Sequence, residues 1–236
     1  MSGGADSLAL LVLAVDAGCV VTAVHVDHGL RAGSAGEADV VRAAAARYGA
    51  GFRSLTAHVA PGPNLEARAR RRRYDALPPG VLTGHTADDQ AETVLLNLLR
   101  GAGLDGLAGM APDRRPIRDL RRAETRGLCR ALGLAPVDDP SNDDPAFRRN
   151  RVRHEALPLL AEVAGRDLVP ILARQAELAR DDAAALDELA RAIDVTDATD
   201  ILTKPRTWHS PVMSSWRQLR SANTPRTSRP RPSRTI

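Results

Sequence analysis

Short runs of β-branched and apolar residues alternate with longer helical patterns over the first hundred residues of the chain. Residues 20–26 and 52–59 are typical of strands, and a shorter strand is predicted at residues 81–84. The predicted helices are residues 7–17, 37–48, 65–77 and 87–100. Strands that alternate with helices at this spacing favour βαβ units. We therefore expect an α/β fold with a doubly wound parallel sheet, which binds ligands beyond the carboxyl ends of its strands.

The rest of the chain carries helix signals rather than strand signals. A helix is predicted near residues 122–132, and further helices follow an Asp-rich stretch, from about residue 150 to residue 193. From residue 203 onward Pro, Ser, Thr and Arg dominate, which is typical of disorder. The predicted organisation is an α/β catalytic domain over residues 1–145, a helical extension over 146–202 and a disordered basic tail over 203–236.

The net charge of +4 is unevenly distributed along the chain. Residues 203–236 contain Lys204 and seven arginines without any Asp or Glu, so this tail carries +8 and the remainder carries −4. The overall charge therefore says little about the body of the protein. Local arginine clusters say more, because they could contact nucleic-acid phosphates; they lie at residues 68–73 and 148–153.

Nothing in the sequence predicts export or a membrane span. No apolar run approaches eighteen residues, and residues 1–13 lack both a basic segment and a small-residue cleavage site. Cys19 and Cys129 form no C-x-x-C pair, so we interpret both as small buried hydrophobic residues in a reducing compartment. The expected location is the cytoplasm, without a membrane partner.

Two glycines and two hydroxyl side chains precede the first predicted helix, in the order SGGADS at residues 2–7. Backbone N–H groups at a helix start can bind an anion where glycines allow close approach, so the string predicts a phosphate-binding loop. It matches neither G-x-x-x-x-G-K-[ST] nor G-x-G-x-x-G, so it predicts neither a γ-phosphate-cleaving NTPase nor a dinucleotide-binding fold. The structural alternative is a Gly-rich turn in which Ser7 or Asp6 caps the helix.

This loop resembles the SGGxDS loop of the PP-loop ATP pyrophosphatases, and four further motifs follow in order. VDHGLR at residues 26–31 resembles a segment of the tRNA(Ile)-lysidine synthetases, as does the next predicted helix, with Arg70 and Arg73. GHTADDQAET at residues 84–93 is similar to the family's GHHxDDQxET. DPSN at residues 139–142 is followed by another arginine-rich helix start. The resemblance covers roughly residues 2–180.

The resemblance implies a Rossmann-like fold of the adenine-nucleotide alpha-hydrolase type and an ATP-dependent ligase. The implied reaction joins L-lysine to C2 of the wobble cytidine of tRNA(Ile) with a CAU anticodon. The base oxygen O2 first attacks the α-phosphorus of ATP, and the amine of lysine then displaces AMP. ATP and Mg²⁺ are the implied cofactors, pyrophosphate and AMP are the products, and a homodimer is an open alternative to a monomer.

The resemblance also implies roles for particular residues. The ATP-binding residues are Ser2, Gly3, Gly4, Asp6, Ser7, Val26 and His28, where Asp6 would bind Mg²⁺ or orient the loop. The catalytic residues, which would bind Mg²⁺ or recognise the amine of lysine, are Asp6, His85, Asp88, Asp89 and Glu92. The tRNA-binding residues are Arg70, Arg73, Arg149, Asn150 and Arg153.

Structural explanations remain open for several of these residues. Asp88, Asp89 and Glu92 lie at a helix start, where the macrodipole favours negative charge even when the residues have no catalytic role. Asp88 and Glu92 are nevertheless four residues apart and share a helix face. His28 could simply order its loop, and residues 68–73 could form a solvated helix face. His25 and His28 lack further ligands nearby, so a zinc site is not expected.

The sequence departs from the family pattern in four places. Thr86 replaces a second histidine, and Arg118 puts a charge at a normally apolar position. Only Met1 precedes the phosphate loop, where the family has an apolar strand, so we expect an exposed sheet edge, poor solubility and loss of activity. Helical periodicity stops abruptly near residue 200, as it would after a frameshift. The open alternatives are a PP-loop tRNA thiolase and an inactive truncated gene product.

Overall fold

The computed structural model describes residues 1–27, 34–56 and 77–192. The strands are β1 (Thr22–Asp27) and β2 (Gly51–Thr56). The helices are α1 (Ala5–Asp16), α2 (Ser34–Arg47), α3 (Ala87–Leu99), α4 (Leu104–Leu107), α5 (Arg122–Ala131), α6 (Arg148–Arg151), α7 (Leu157–Ala164) and α8 (Val169–Ala192). A 3₁₀ turn (Pro140–Asn142) precedes α6, and a π-helical turn (Val152–Ala156) joins α6 to α7.

The chain divides into two compact units, residues 1–187 and residues 188–236. The phosphate loop, the sheet and α1 to α7 all belong to the first unit. Of the second unit the structure describes only residues 188–192, which form the end of α8. The helix predicted at residues 65–77 and the basic tail lie outside the described residues, apart from Leu77, which is not helical.

The two strands pair in parallel, in a register that runs from Thr22 opposite Gly51 to Asp27 opposite Thr56. Parallel neighbours need a crossover connection, and α2 lies in that connection, as the alternating pattern predicts. The strand predicted at residues 81–84 is wrong, because this segment joins no ladder among the described residues. Thr83 instead donates its backbone N–H to the carbonyl of Arg114, at 2.8 Å, so a loop takes the donor that a strand would need.

One hydrophobic core joins α1, α2 and β1. Its fully buried members are Leu11, Val12, Ala23, Val41 and Ala45. Leu8 of α1 packs with Cys129 of α5 and so extends the apolar contact to α5. Burial of each large side chain contributes about 1.5–3 kcal/mol, so α1 is anchored with the phosphate loop at its first residue.

The two cysteines differ from one another. Cys129 is buried, as expected, whereas Cys19 is exposed, so the expectation that both would be buried is wrong for Cys19. Cys19 follows Gly18, whose φ of 80° takes the chain out of α1 and away from the core. Among the described residues, no helix is both long enough and apolar enough to cross a membrane.

A second core holds the amino-terminal half of α3. Ala87 and Ala91 pack against Val169 of α8, and Leu95 packs against Val152 and Leu157. These contacts bury one face of α3 against elements from the helical part of the chain. The first turn of α3 is thereby fixed in position, together with the acidic residues that it carries.

Gln90 lies inside the acidic motif but faces a loop instead of the cleft. Its side chain is almost fully buried, with 1% of the residue exposed. The Oε1 atom accepts a hydrogen bond from the backbone N–H of Met110 at 2.8 Å, and Nε2 donates to the carbonyl of Ala108 at 3.3 Å. The residue between them, Gly109, has a φ of 63° and no room for a side chain over Gln90. Gln90 therefore fixes a turn on α3.

Replacing Gln90 by methionine should lower the free energy of unfolding by about 2 kcal/mol, because a part-buried N–H would lose its acceptor. Gln175→Met is the matched control, since Gln175 is exposed on α8. Urea denaturation of both variants measures the difference. Equal losses in the two variants would show that the hydrogen bonds of Gln90 contribute nothing.

Candidate active site

The predicted phosphate loop leads directly into α1. Gly4 is the N-cap residue and adopts an extended conformation, with no side-chain capping bond. The alternative in which Ser7 or Asp6 caps the helix is therefore wrong; Ser7 donates its Oγ–H to the carbonyl of Gly4 at 2.8 Å. Gly3 has a φ of 75°, a conformation that favours glycine. The helix start thus has no side-chain cap, as an anion-binding site requires.

The loop is braced by residues on both sides of it. The carbonyl of Gly3 accepts a hydrogen bond from the backbone N–H of Val137 at 3.0 Å. On the other side, the amino terminus of Met1 donates to the carbonyl of Val24 in β1, and the carbonyl of Met1 lies 2.9 Å from Nδ1 of His25. These contacts fix the loop to the sheet and to the segment before the 3₁₀ turn. Neither support is predicted by the sequence pattern.

Gly84 brings the acidic motif against the start of α1. A Cβ atom at this position would lie 2.6 Å from the backbone carbonyl oxygen of Asp6, closer than real Cβ contacts allow. The next residue, His85, places its Nδ1 atom 2.8 Å from the hydroxyl of Thr83. The absence of a side chain at Gly84 therefore sets the distance between the phosphate loop and α3.

Thr86 and Asp89 form the start of α3. Oδ2 of Asp89 accepts hydrogen bonds from the backbone N–H of Thr86 at 2.9 Å and from its hydroxyl at 3.0 Å. Threonine is a favoured N-cap residue, which explains the departure from the family pattern at this position. Oδ2 of Asp89 therefore stabilises the start of α3, which is the structural role left open above, whereas Oδ1 faces arginines.

Glu92 is wholly buried, with a side-chain exposure of 0%, and three arginines bind it. Nε of Arg149 and Nε of Arg153 each lie 2.7 Å from one of its two carboxylate oxygens. Arg122 donates from Nη1 to Oε1 at 3.2 Å. Burying a carboxylate is tolerated only when it is paired and hydrogen-bonded, and these contacts from α5, α6 and the π-helical turn meet that requirement.

Arg122 reaches three carboxylates from the first position of α5. Its Nη2 atom lies 2.9 Å from Oδ1 of Asp89, and its Nε atom lies 3.8 Å from Oδ2 of Asp6. Asp6 also accepts a hydrogen bond from the hydroxyl of Thr125. We call Asp6, Asp89, Glu92, Arg122, Arg149 and Arg153 the arginine–carboxylate network.

Arg122, Arg121 and Thr125 were not predicted from the sequence to lie in the site. A signal was present, since two arginines at a helix start oppose the macrodipole and need nearby acids to be stable there. Asp88 supplies one such acid: it binds Arg121 through both oxygens at 3.2 Å and accepts the backbone N–H of Arg122 at 2.7 Å. Asp88 and Glu92 both contact α5, so they share a face of α3, as predicted. The bonds of Asp88 hold α3 against α5.

The environment changes the acidity of these carboxyl groups in opposite directions. Burial raises the pKa of Asp6, and its hydrogen bond from Thr125 only partly offsets that effect. Burial also acts to raise the pKa of Asp89, but Arg122 and Arg149 outweigh it and hold the pKa below the ordinary value. The same balance, with Arg121 as the main partner, lowers the pKa of Asp88. Asp88 and Asp89 are therefore stable anions.

Arg149, Asn150 and Arg153 lie in this network or beside it. The two arginines are 29% and 21% exposed and point towards Glu92. Asn150 is buried and donates from Nδ2 to the carbonyls of Ser141 and Asp144, at 2.7 and 2.9 Å. Asn150 therefore fixes the DPSN turn. Contact of Arg149, Asn150 and Arg153 with tRNA stays a prediction.

Several of these groups line one large cleft. It has a volume of about 1930 Å³, larger than an ordinary small-molecule pocket of roughly 300–1,000 Å³. Its lining includes Ser2, Asp6, Val26, His85, Asp89 and Arg122. His28, Arg70 and Arg73 lie outside the described residues, and within the described ranges no three His, Cys, Asp or Glu side chains form a metal-binding cluster.

The loop, the cleft and the parallel sheet agree with a comparison of the chain with protein families. Residues 1–160 match the PP-loop domain, so the chain belongs to the PP-loop proteins. It is 48% identical over 205 residues to the tRNA(Ile)-lysidine synthase of Rhodococcus erythropolis, covering 82% of this chain and 62% of that protein. The corresponding protein of Thermobifida fusca is 44% identical over 234 residues, covering 87% of this chain and 71% of the relative. The chain belongs to the tRNA(Ile)-lysidine synthase family.

Two further matches define the extent of the similarity. The tRNA(Ile)-lysidine synthase of Nocardia farcinica is 47% identical over 215 residues, covering 85% of this chain and 67% of the relative. The U34-tRNA thiolase of Methanococcus maripaludis, a solved structure with a [4Fe-4S] cluster, superposes with a TM-score of 0.61 at 19% identity, over 76% of this chain and 71% of that one. The predicted α/β fold is confirmed. The chain spans 62% of the length of the Rhodococcus erythropolis relative.

Gly84→Ala should lower the free energy of unfolding by about 1–3 kcal/mol, because the new methyl group would collide with the backbone of Asp6. Gly36→Ala is the matched control: Gly36 lies exposed in α2 with open space around it, and alanine there should stabilise the helix by about 0.5–1 kcal/mol. Thermal unfolding of the two variants gives the comparison. A Gly84→Ala protein as stable as the wild type would contradict the proposed close contact.

Asp88→Asn should destabilise the protein by about 1–2 kcal/mol at pH 7, through loss of charge-assisted hydrogen bonds. Because folding lowers the pKa of Asp88 from 3.8, its stabilising effect is full above that pH and disappears as the pH falls through the folded-state value. The stability difference between wild type and variant should therefore shrink below about pH 4. Urea titrations at pH 7, 5 and 3 test this, with the exposed Asp105→Asn as control. A difference that is constant with pH would refute it.

Proposed function

We propose that the protein ligates L-lysine to C2 of the wobble cytidine of tRNA(Ile) with a CAU anticodon, at the expense of ATP. The cytidine is first adenylated at O2 and the amine of lysine then displaces AMP, with pyrophosphate released in the first step. One observation carries the proposal: in a chain of this family, the phosphate loop and the carboxylates of Asp6 and Asp89 line the same cleft. Such an enzyme would act in the cytoplasm.

The ATP site in this proposal lies at the start of α1. Backbone N–H groups of Gly3 and Gly4, with the hydroxyls of Ser2 and Ser7, would hold the phosphates, since an uncapped helix start attracts anions. Val26, near the carboxyl end of β1, lines the same cleft and would contact the adenosine together with His28. Arg122 and Arg126 also line the cleft, and their charge would help to neutralise the phosphates.

Magnesium fits this site only as a phosphate-bound ion. Mg²⁺ is commonly held by one or two carboxylates together with substrate phosphates and water. Asp6 lies beside the phosphate loop, one quarter exposed, and could supply one carboxylate, whereas arginines already bind Asp89 and Glu92. The ion would neutralise charge on the leaving pyrophosphate. Asp6 would hold it or orient the loop.

The amine of lysine requires a carboxylate at the cleft, and Asp89 offers one, with Glu92 behind it. Both carboxylates are anchored by bonds to neighbouring residues, so their position does not depend on substrate. Asp89 lines the cleft directly, and Glu92 lies behind it as the buried anchor of the arginines. His85 borders the cleft near Asp6 and could orient the base or accept a proton from the amine.

The tRNA surface would combine both parts of the chain. Arg70 and Arg73 would contact phosphates from the α/β catalytic domain, residues 1–145, and Arg149 and Arg153 would do so from the helical extension, residues 146–202. Asn150 would act by holding the DPSN turn. The basic tail, residues 203–236, would add sequence-independent attraction. A homodimer remains an open alternative to a monomer.

A tRNA thiolase is the second candidate within the superfamily. Thiolases that use a pair of catalytic cysteines need them close together. Here the two cysteines, Cys19 and Cys129, are both free, one exposed after α1 and the other buried in α5. The buried carboxylates also suit a cationic amine better than a sulfur donor.

Met1 bonds to Val24 and His25 of β1 and braces the phosphate loop, so we expect activity in place of the loss that the sequence suggests. Incubation of the chain with ATP, Mg²⁺, labelled L-lysine and a tRNA(Ile) transcript should give lysine-labelled tRNA, and Asp6→Asn should lower the initial rate by about 100-fold. Asp16→Asn, an exposed substitution at the other end of the same helix, should keep the wild-type rate. Equal rates for Asp6→Asn and wild type would remove Asp6 from the site. Labelling by a sulfur donor instead of lysine would favour the thiolase.

A further inference from the structure

The network occupies the place where a cationic substrate would have to bind. Its three carboxylates, Asp6, Asp89 and Glu92, face an equal number of guanidinium groups. Oδ1 of Asp89, the oxygen that is not used to cap α3, already lies 2.9 Å from Nη2 of Arg122. An amine that approached Asp89 would meet this like charge. With Arg122 in this position, Asp89 is closed to an amine.

Arg122 belongs to both halves of the cleft. It lies 3.8 Å from Asp6 beside the phosphate loop and also binds Asp89 and Glu92. Its side chain is 16% exposed and lines the cleft. A triphosphate at the loop would bring several negative charges near this guanidinium, and in a poorly solvated site such charges compete directly with carboxylates.

The other two arginines are placed differently. Arg149 and Arg153 lie 2.7 Å from Glu92, but their distances to Oδ1 of Asp89 are 3.5 and 3.8 Å. If Arg122 moved towards phosphate, Glu92 would keep two close cations, and Asp89 would lose its shortest one. The capping bonds from Thr86 would still hold Asp89 in place.

We propose that Arg122 is a positioning residue that couples nucleotide binding to amine binding. Bound phosphates draw its guanidinium away from Asp89, and the freed Oδ1 atom then accepts the ammonium group of the amino-acid substrate. The exchange keeps the buried charges compensated, because one cation leaves Asp89 and another replaces it. This inference rests on the proposed function and adds an order to it, in which ATP binds before lysine.

Calorimetric titration of L-lysine into the full chain, with and without α,β-methylene-ATP at constant magnesium, measures the coupling. The nucleotide analogue should strengthen lysine binding by roughly tenfold, and lysine should strengthen analogue binding by the same factor. In Arg122→Gln, lysine should bind without the analogue about as well as it binds the wild type with the analogue. The coupling factor should fall towards one.

Arg126→Gln is the matched control, since Arg126 lies one turn further along α5, lines the same cleft and forms no ion pair with Asp89 or Glu92 in the described part of the chain. It should keep the wild-type coupling even if the analogue binds more weakly. Arg122→Lys, which retains the charge on a shorter fork-free side chain, should show reduced coupling and serves if Arg122→Gln does not fold.

Binding of both ligands with equal coupling in wild type and Arg122 variants would overturn the inference, as would a wild-type coupling factor of one. If the analogue bound but lysine bound to no variant, the inference would be overturned as well, because removal of Arg122 would then not make Asp89 available to the amine. Failure of the wild type to bind the analogue would contradict the proposed function itself.

Discussion

The burial of Glu92 is the interaction on which the rest of the site depends. A carboxylate with no solvent exposure must be compensated inside the protein, and three arginines from two helical segments meet that need. Arg122 lies on α5, and Arg149 and Arg153 lie on the helical segment that begins with α6, so their bonds to Glu92 fix both segments against α3. Loss of one partner would leave an unpaired buried charge. The ion pairs of the site therefore also hold these helices together.

Local pattern was enough to predict the parts of the site that depend on neighbouring residues. The Gly-rich loop before α1, the acidic start of α3 and the crossover between parallel strands follow from glycines, acids and apolar periodicity in short windows. Arg122 was missed because its partners lie 30 or more residues away. The strand predicted at residues 81–84 failed for a similar reason, since a distant carbonyl, that of Arg114, takes the N–H of Thr83.

Both substitutions that depart from the family pattern have a structural explanation. Thr86 caps α3 with its backbone and hydroxyl groups, a role that threonine fills well. Arg118 sits at a position expected to be apolar, yet only 11% of its side chain is exposed and it binds Glu177 of α8 at 2.8 Å. The guanidinium thus ties the loop before α5 to the last described helix, and the aliphatic part of its side chain can fill the apolar space.

The bracing of the phosphate loop has a consequence for the order in which the protein folds. Asp6 bonds to Thr125 across 119 residues, and Gly3 bonds to Val137. Contacts between residues so far apart in sequence form slowly, because a long loop must close before they stabilise anything. During synthesis the loop is made before Thr125 and Val137, so its bonds with them form only after the intervening residues have followed. The phosphate loop thus gains its last supports late in folding, although the strand that it contacts through Met1 follows closely in sequence.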